Sequence, residues 1–260
     1  MNTKTLFNVD RIVEYLEKHK SKLEISWDEK GDVKIPDFID SNNIVGLGRF
    51  EKEILLKKLV KEKFDEGYNK KKLYNWIIIE WGGISGGNEE NQDYIEKFLE
   101  NCNNKYEFTR ISSTSKVASF INPKENIIYD SRVTFALNWI ILTQNAGTKF
   151  FPIPEGRNSK LKAFDLNVLI RLKNITSYQP NNEKSFNNKK FINNIDQLYY
   201  IKKNDAYFVL NELIKSVNKK LWKEDEEKKE YLYYTEMLLF QLADNEIYKD
   251  IVSKVKLNIS

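Results

Sequence analysis

The sequence predicts a mainly α protein with one small β-hairpin near its N-terminus. Three observations predict it. Apolar residues recur at helical spacing along most of the chain, one short stretch alternates about a glycine turn, and there is no internal repeat or sustained heptad. Val9, Ile12, Val13 and Leu16 form the first apolar stripe, with Asn8 as its N-cap. LEISW (23–27) and VKIP (33–36), joined by DEKGD with Gly31 in the turn, read as the hairpin. Helical periodicity then predicts helices over 49–65, 70–81, 89–100, 113–121 and 131–145. Asn and Lys crowd 181–194, which reads as a solvated loop or linker. Two or three further helices are expected in 204–254, one of them carrying YLYYTEMLLFQLAD (231–244).

Composition limits the chemistry. With 260 residues, 41% apolar and 13% aromatic, the chain can bury a sizeable core in one large domain or two small lobes. It holds a single histidine, His19, and a single cysteine, Cys102. A four-ligand zinc site and a cysteine-held iron–sulfur cluster therefore cannot be built, and neither can an intrachain disulfide. Any catalysis has to use carboxylates, lysines, tyrosines and hydroxyls unless His19 is the base. No cofactor is expected. The first twenty residues mix charges into their apolar positions, unlike a secretory signal. Trp76–Ile79 and Trp139–Leu142 are too short to span a bilayer, so a cytoplasmic protein without a membrane partner is the expectation.

The net charge of +4 is unevenly spread. Residues 1–130 carry 21 basic and 23 acidic side chains, a balance of −2, and residues 131–260 carry 21 and 15, a balance of +6. Most of that excess lies in 149–203, as a polyanion partner would favour. AT-rich codon usage would give the same Lys and Asn excess, so charge alone leaves the partner open.

Several motifs lead nowhere. In EWGGISGGN (80–88), Gly82 and Gly87 have the spacing of a phosphate loop, but Asn88 and Glu89 stand where its Lys and hydroxyl belong. The cluster reads instead as a helix end and a tight turn. His19, in the Lys-rich HKSK, is expected to face solvent or to cap the last carbonyls of its helix. Cys102 is read as incidental, and Trp76 and Trp81 as core.

The informative stretch is RISSTSKVASFINPKENIIYDSRVTFALNWI, residues 110–140. Ser112 or Ser113 is the expected cap of a short helix carrying Lys116 near its start, and Pro123 discourages its continuation. Asp130 then takes the N-cap position of a helix whose apolar face is Val133, Ala136, Leu137, Ile140 and Ile141. There it meets free backbone N–H groups and a positive helix end. Spacing alone reads Asp130 as an ordinary cap and Lys116 as a solvent-facing or phosphate-contacting lysine.

This stretch resembles the helix-hairpin-helix DNA glycosylases, in particular the branch with the 8-oxoguanine DNA glycosylase fold. TSKVASF (114–120) is similar to the family's Thr-Lys-Val-Ala helix start, and IYDSRV (128–133) to its Pro-Val-Asp-x-x-Val segment. The whole pattern also resembles bacterial proteins assigned to that fold. Weaker matches at WGGI (81–84) and EMLLFQLAD (236–244) extend the likeness over roughly residues 70–250. The resemblance implies a two-lobed helical fold acting as one unit, with lobes at 1–110 and 111–260. It also implies catalytic roles for Asp130 and Lys116. Ser112, Ser113, Thr114, Ser115 and Arg132 would then contact DNA. Trp139, Tyr231, Tyr234, Glu236, Phe240 and Gln241 would line a base pocket. The implied function is excision of a damaged or modified base from double-stranded DNA by a monomer, with or without lyase activity.

The chain departs from the family in three places. Ile-Ser-Ser-Thr (111–114) replaces the hairpin glycines, the Lys-to-Asp separation of 14 residues is short, and Arg132 stands where a histidine is common. The rival readings are a non-catalytic helical DNA-binding protein of the same fold, an antiphage protein acting on modified phage DNA, and an interaction protein whose basic loop contacts RNA or a protein partner.

Overall fold

The computed structural model describes residues 6–28, 31–84, 90–101, 108, 110–156 and 158–256. It is mainly helical, and no strand occurs among the described residues. The helices are α1 (Val9–Glu17), α2 (Lys22–Asp28), α3 (Arg49–Asp65) and α4 (Lys70–Asn75), the last running directly into a π-helical turn at Trp76–Trp81. Next come α5 (Glu90–Asn101), α6 (Ile111–Ile121) and α7 (Ser131–Thr143). Four shorter helices follow: α8 (Ser159–Ala163), α9 (Leu166–Lys173), α10 (Glu183–Phe186) and α11 (Phe191–Tyr199). The chain closes with α12 (Lys203–Leu221), α13 (Glu226–Glu230), α14 (Tyr233–Asp244) and α15 (Glu246–Lys254). No described helix is long and apolar enough to cross a membrane.

Local sequence accounts for most of these boundaries. The Asn8 side chain accepts the Arg11 N–H and starts α1, and the Asp130 carboxylate accepts the Arg132 N–H at 2.7 Å and starts α7. Three expectations need correction. LEISW is helical rather than a strand, and VKIP forms no regular element. Leu23 and Trp27, one turn apart, are both buried while Ile25 between them is exposed, which a strand packed on one face could not arrange. The segment 181–194 is not wholly loop, because α10 and the start of α11 lie within it. Finally, α6 begins at Ile111, ahead of both serines expected to cap it. Arg110 precedes it in the left-handed region at φ 61°, and Ser112 and Ser113 lie in the first turn.

Two hydrophobic clusters hold the fold. The larger gathers α1 and α2 with α7, α9, α12, α14 and α15, so the beginning of the chain packs against its end as well as against α3. The smaller is built from residues 33–120, with Leu73, Trp76 and Ile77 at its centre. Helix α7 is buried on nearly all sides, from Val133 through Leu142, as expected of a helix that is apolar all round. Each large side chain it buries contributes about 1.5–3 kcal/mol.

Three helices belong to both clusters. On α3, Phe50 and Ile54 face the larger and Leu56 and Val60 the smaller; on α5, Phe98 faces the larger and Ile95 the smaller; on α6, Ile111 and Ala118 face the larger and Val117 and Phe120 the smaller. The seam they bridge contains the site.

Candidate active site

The segment 126–130, between α6 and α7, forms no regular element and is buried almost to its end, yet side chains pair the N–H groups of Ile127, Ile128 and Tyr129. The Ile127 N–H goes to Asn211 Oδ1 at 3.1 Å, and the Ile127 carbonyl accepts from the Tyr207 hydroxyl. The Ile128 N–H goes to Glu236 Oε2 at 2.9 Å, and the Tyr129 N–H to Ser115 Oγ at 2.9 Å. Ser112 Oγ donates to the Tyr129 carbonyl at 3.2 Å. Ser112 and Ser115 thus grip both backbone groups of Tyr129 from one face of α6. Leaving such buried groups unpaired would cost about 1–3 kcal/mol each. This clamp fixes Asp130, one residue on, against the helix that carries Lys116.

The clamp also accounts for the serine run that the resemblance would place against DNA. Ser115 is fully buried, Thr114 is buried and donates to the Arg110 and Ile111 carbonyls, and Ser112 is half-buried with its hydroxyl committed to Tyr129. Ser113 alone of the four has no bond to Tyr129 or to its own helix through its hydroxyl, and it too is half-buried. Hydroxyls engaged inside the fold are not available to a phosphate.

Lys116 and Asp130 line one cavity of about 210 Å³. Arg132 at the start of α7 lines it too, and so do Glu236, Met237 and Phe240 of α14. Arg49, Glu53 and Lys57 of α3 form another wall, and Trp27, Trp81, Gly82 and Ile128 complete it. Glu53, Lys57, Lys116 and Glu236 are buried, while Asp130, Arg132, Trp81 and Phe240 are half-exposed and form the rim.

No protein-family model, curated protein or solved structure matches the chain. The chemistry of the cavity therefore rests on its own geometry.

Lys116 is only 8% exposed, and its Nζ donates to the Ser112 carbonyl at 3.2 Å. Burial pushes its amine below the ordinary lysine range, against the opposing pull of Asp130 and Glu236, while Lys57 and Arg132 add to the fall. Glu236 is 4% exposed, and burial pushes its carboxyl up to about 7. Lys57 and the Ile128 N–H act against that rise, and Asp130 adds to it. An amine that loses its proton more readily and a carboxyl that keeps its proton more readily share one enclosure with Asp130. Perturbed pairs of this kind cluster at reactive sites. Arg132 is held by Asp244, Nε to Oδ2 at 2.8 Å, and lies over the Phe240 ring at 4.7 Å.

The other pocket assignments fall elsewhere. Trp139 is core, its indole N–H on Asp250 at 2.9 Å, and Tyr234 is buried with its hydroxyl on Glu227 at 2.6 Å. Tyr231 stacks on Tyr233 away from the cavity, and Gln241 is buried without lining it. Of the singletons, His19 is half-buried against Tyr15, its imidazole pKa lowered chiefly by that burial, and Cys102 lies outside the described residues. Trp76 is core as expected, but Trp81 is part of the cavity wall.

Sequence reasoning missed the α3 wall. Arg49, Glu53 and Lys57 at i, i+4 and i+8 look like a solvated face. Yet Phe50, Ile54, Leu56 and Val60 are buried on the other sides of the same helix, and Glu53 is 0% exposed. The helix has a separate exposed face at Glu51, Glu62 and Asp65, so its sequence offers two charged faces and nothing local tells which one turns inward.

Gly82, where the π-helical turn ends, sits hard against this machinery. A Cβ there would meet the Ile77 and Ile78 carbonyls at 2.7 Å and Lys116 Cδ at 2.9 Å. Gly82→Ala is expected to destabilise the protein by roughly 1–3 kcal/mol and to displace the Lys116 side chain. Chemical denaturation measures the first effect. An unchanged midpoint would show that this approach is looser than described.

Proposed function

We propose that the protein is a DNA glycosylase that excises a damaged or modified base through Asp130, with Lys116 as the amine nucleophile. The observation that carries this reading is that Lys116 and Asp130 line the same cavity, with aromatic side chains at its rim. Its size suits a single flat base turned out of the duplex. In the proposed reaction the C1′–N bond breaks and its electron pair leaves with the base, so positive charge develops on the sugar. The Asp130 carboxylate stabilises that charge at the rim, where the backbone of an entering strand would pass. The Lys116 amine, made less basic by burial, attacks C1′ and gives up a proton; the C1′–O4′ bond then opens, O4′ takes up a proton to become a hydroxyl, and the resulting Schiff base permits strand cleavage.

The reading is tested on duplexes that each carry one modified base, including oxidised purines and bases of phage type, by scoring abasic sites after incubation. With a duplex that yields product, borohydride is expected to trap a covalent adduct with the wild type and none with Lys116→Gln. An adduct that survives Lys116→Gln would remove Lys116 from the role. Absence of abasic sites on every duplex would remove the glycosylase reading.

A further inference from the structure

Lys57 is a deep wall residue that the proposed reaction does not use. It is 2% exposed, and its Nζ has no hydrogen-bond acceptor among the described residues. The ammonium lies over the Trp81 ring at 4.7 Å and the Phe120 ring at 4.5 Å, with Tyr233 at 5.8 Å. Aromatic faces steady a cation but accept none of its three hydrogen bonds well. The neighbouring carboxylates are already engaged. Glu53 accepts the Trp81 indole N–H at 2.6 Å and Arg49 Nη2 at 3.2 Å, and Glu236 accepts the Ile128 N–H.

This is an expensive arrangement for packing alone, because a buried ammonium without an acceptor is strongly unfavourable. It is also a rigid one. The Glu53 carboxylate, itself fixed by Arg49, locks the indole, and Phe120 braces it edge-on at 4.9 Å. A firmly held aromatic face beside an unsatisfied donor matches a flat heterocycle that stacks on Trp81 and offers an acceptor at its edge.

We propose that Lys57 is a specificity-determining residue that donates to an exocyclic carbonyl oxygen of the extruded base, so that the cavity takes keto bases and rejects bases carrying an amine at that position. Among acceptors on a base, the exocyclic oxygen projects furthest from the ring toward a surrounding wall. An exocyclic amine in its place would set donor against donor at Lys57 and leave the ammonium unpaired, the situation in which discrimination is steepest. The inference rests on the base-excision reading of the same cavity.

The experiment separates the two. Hypoxanthine and adenine have the same ring system and differ in a keto or amino group at one position. Each free base is titrated into the whole protein, followed by tryptophan fluorescence, and duplexes bearing one deoxyinosine or one deoxyadenosine opposite an abasic site are titrated by anisotropy. The wild type is expected to prefer hypoxanthine by at least about tenfold, and Lys57→Met, which keeps the length of the stem, to bring the ratio close to one. Lys57→Arg is expected to retain a preference, since it remains a donor. Should Lys57→Met fail to fold, equal binding of the two free bases by the wild type would itself overturn the assignment. An equal preference in wild type and Lys57→Met would do the same. If the free bases discriminate while neither duplex binds, the Lys57 assignment stands and the DNA reading fails.

Discussion

Asp130→Asn is expected to lower base excision by roughly 10²–10⁴-fold while leaving the fold almost untouched. The two roles of this residue can be separated because they use different properties of the side chain. As a cap it contributes one oxygen to the Arg132 N–H at 2.7 Å, and asparagine presents an equivalent oxygen and ranks with aspartate at N-cap positions. As the group that stabilises a positively charged sugar it contributes a negative charge, which asparagine lacks. Asp130→Ala removes both, so it should match Asp130→Asn in activity and in addition lose about 1 kcal/mol of stability. The measurements are product formation on a responsive duplex and denaturation midpoints for the three proteins. Equal product from wild type and Asp130→Asn would leave Asp130 as a cap and nothing more. A large loss of stability in Asp130→Asn would mean that the carboxylate supports the fold through its charge, and activity would then no longer report on chemistry.

That test starts from a residue legible in the sequence. Asp130 was legible because a cap is local: an extended residue, a short polar side chain and an apolar stripe after it. The helices expected over 49–65, 70–81 and 131–145 were legible for the same reason, since their periodicity repeats every turn; the second ends as the π-helical turn and the third stops at Thr143. Most of the failures were long-range. LEISW alternates like a strand, and only the packing of Leu23 and Trp27 against distant helices makes the i, i+4 pair decide. Trp139 and Tyr234 are aromatic, helical and near the right segments, yet Asp250 and Glu227 take their polar tips away from the cavity. The resemblance places Ser112 and Ser115 against DNA, and the sequence offers no other partner because Tyr129 lies on a segment whose path it does not reveal. Glu236 and Phe240 reached the cavity because α14 packs against α7, which carries Asp130 at its cap.

Glu236 supports the second large prediction, a stability that falls as the solution is taken from mildly acidic to neutral pH, and that Glu236→Gln abolishes. Its carboxyl, ordinarily at 4.5, is pushed up to about 7 in the fold, first by burial. The raised value fixes the sign. Between those limits the folded protein holds a proton that the unfolded chain has released, so rising pH favours unfolding. The contribution is fully present below about 4.5 and lost by about 7, and it amounts to roughly 3 kcal/mol across the window. Lys116 has the opposite sign, because its lowered amine makes the folded state gain stability as pH rises toward the ordinary lysine range. Glutamine keeps a carbonyl oxygen for the Ile128 N–H and never ionises. The difference in unfolding free energy between Glu236→Gln and wild type should therefore move in favour of the variant by a few kcal/mol between pH 5 and pH 8. Under the proposed mechanism the ionised carboxylate can also take the proton that Lys116 gives up, so excision by wild type should rise through pH 7 and the variant should lack that inflection. A stability difference that stays constant across this range would mean that Glu236 titrates like an ordinary exposed carboxyl, and the argument from its burial between Lys57, Lys116 and Asp130 would fail with it.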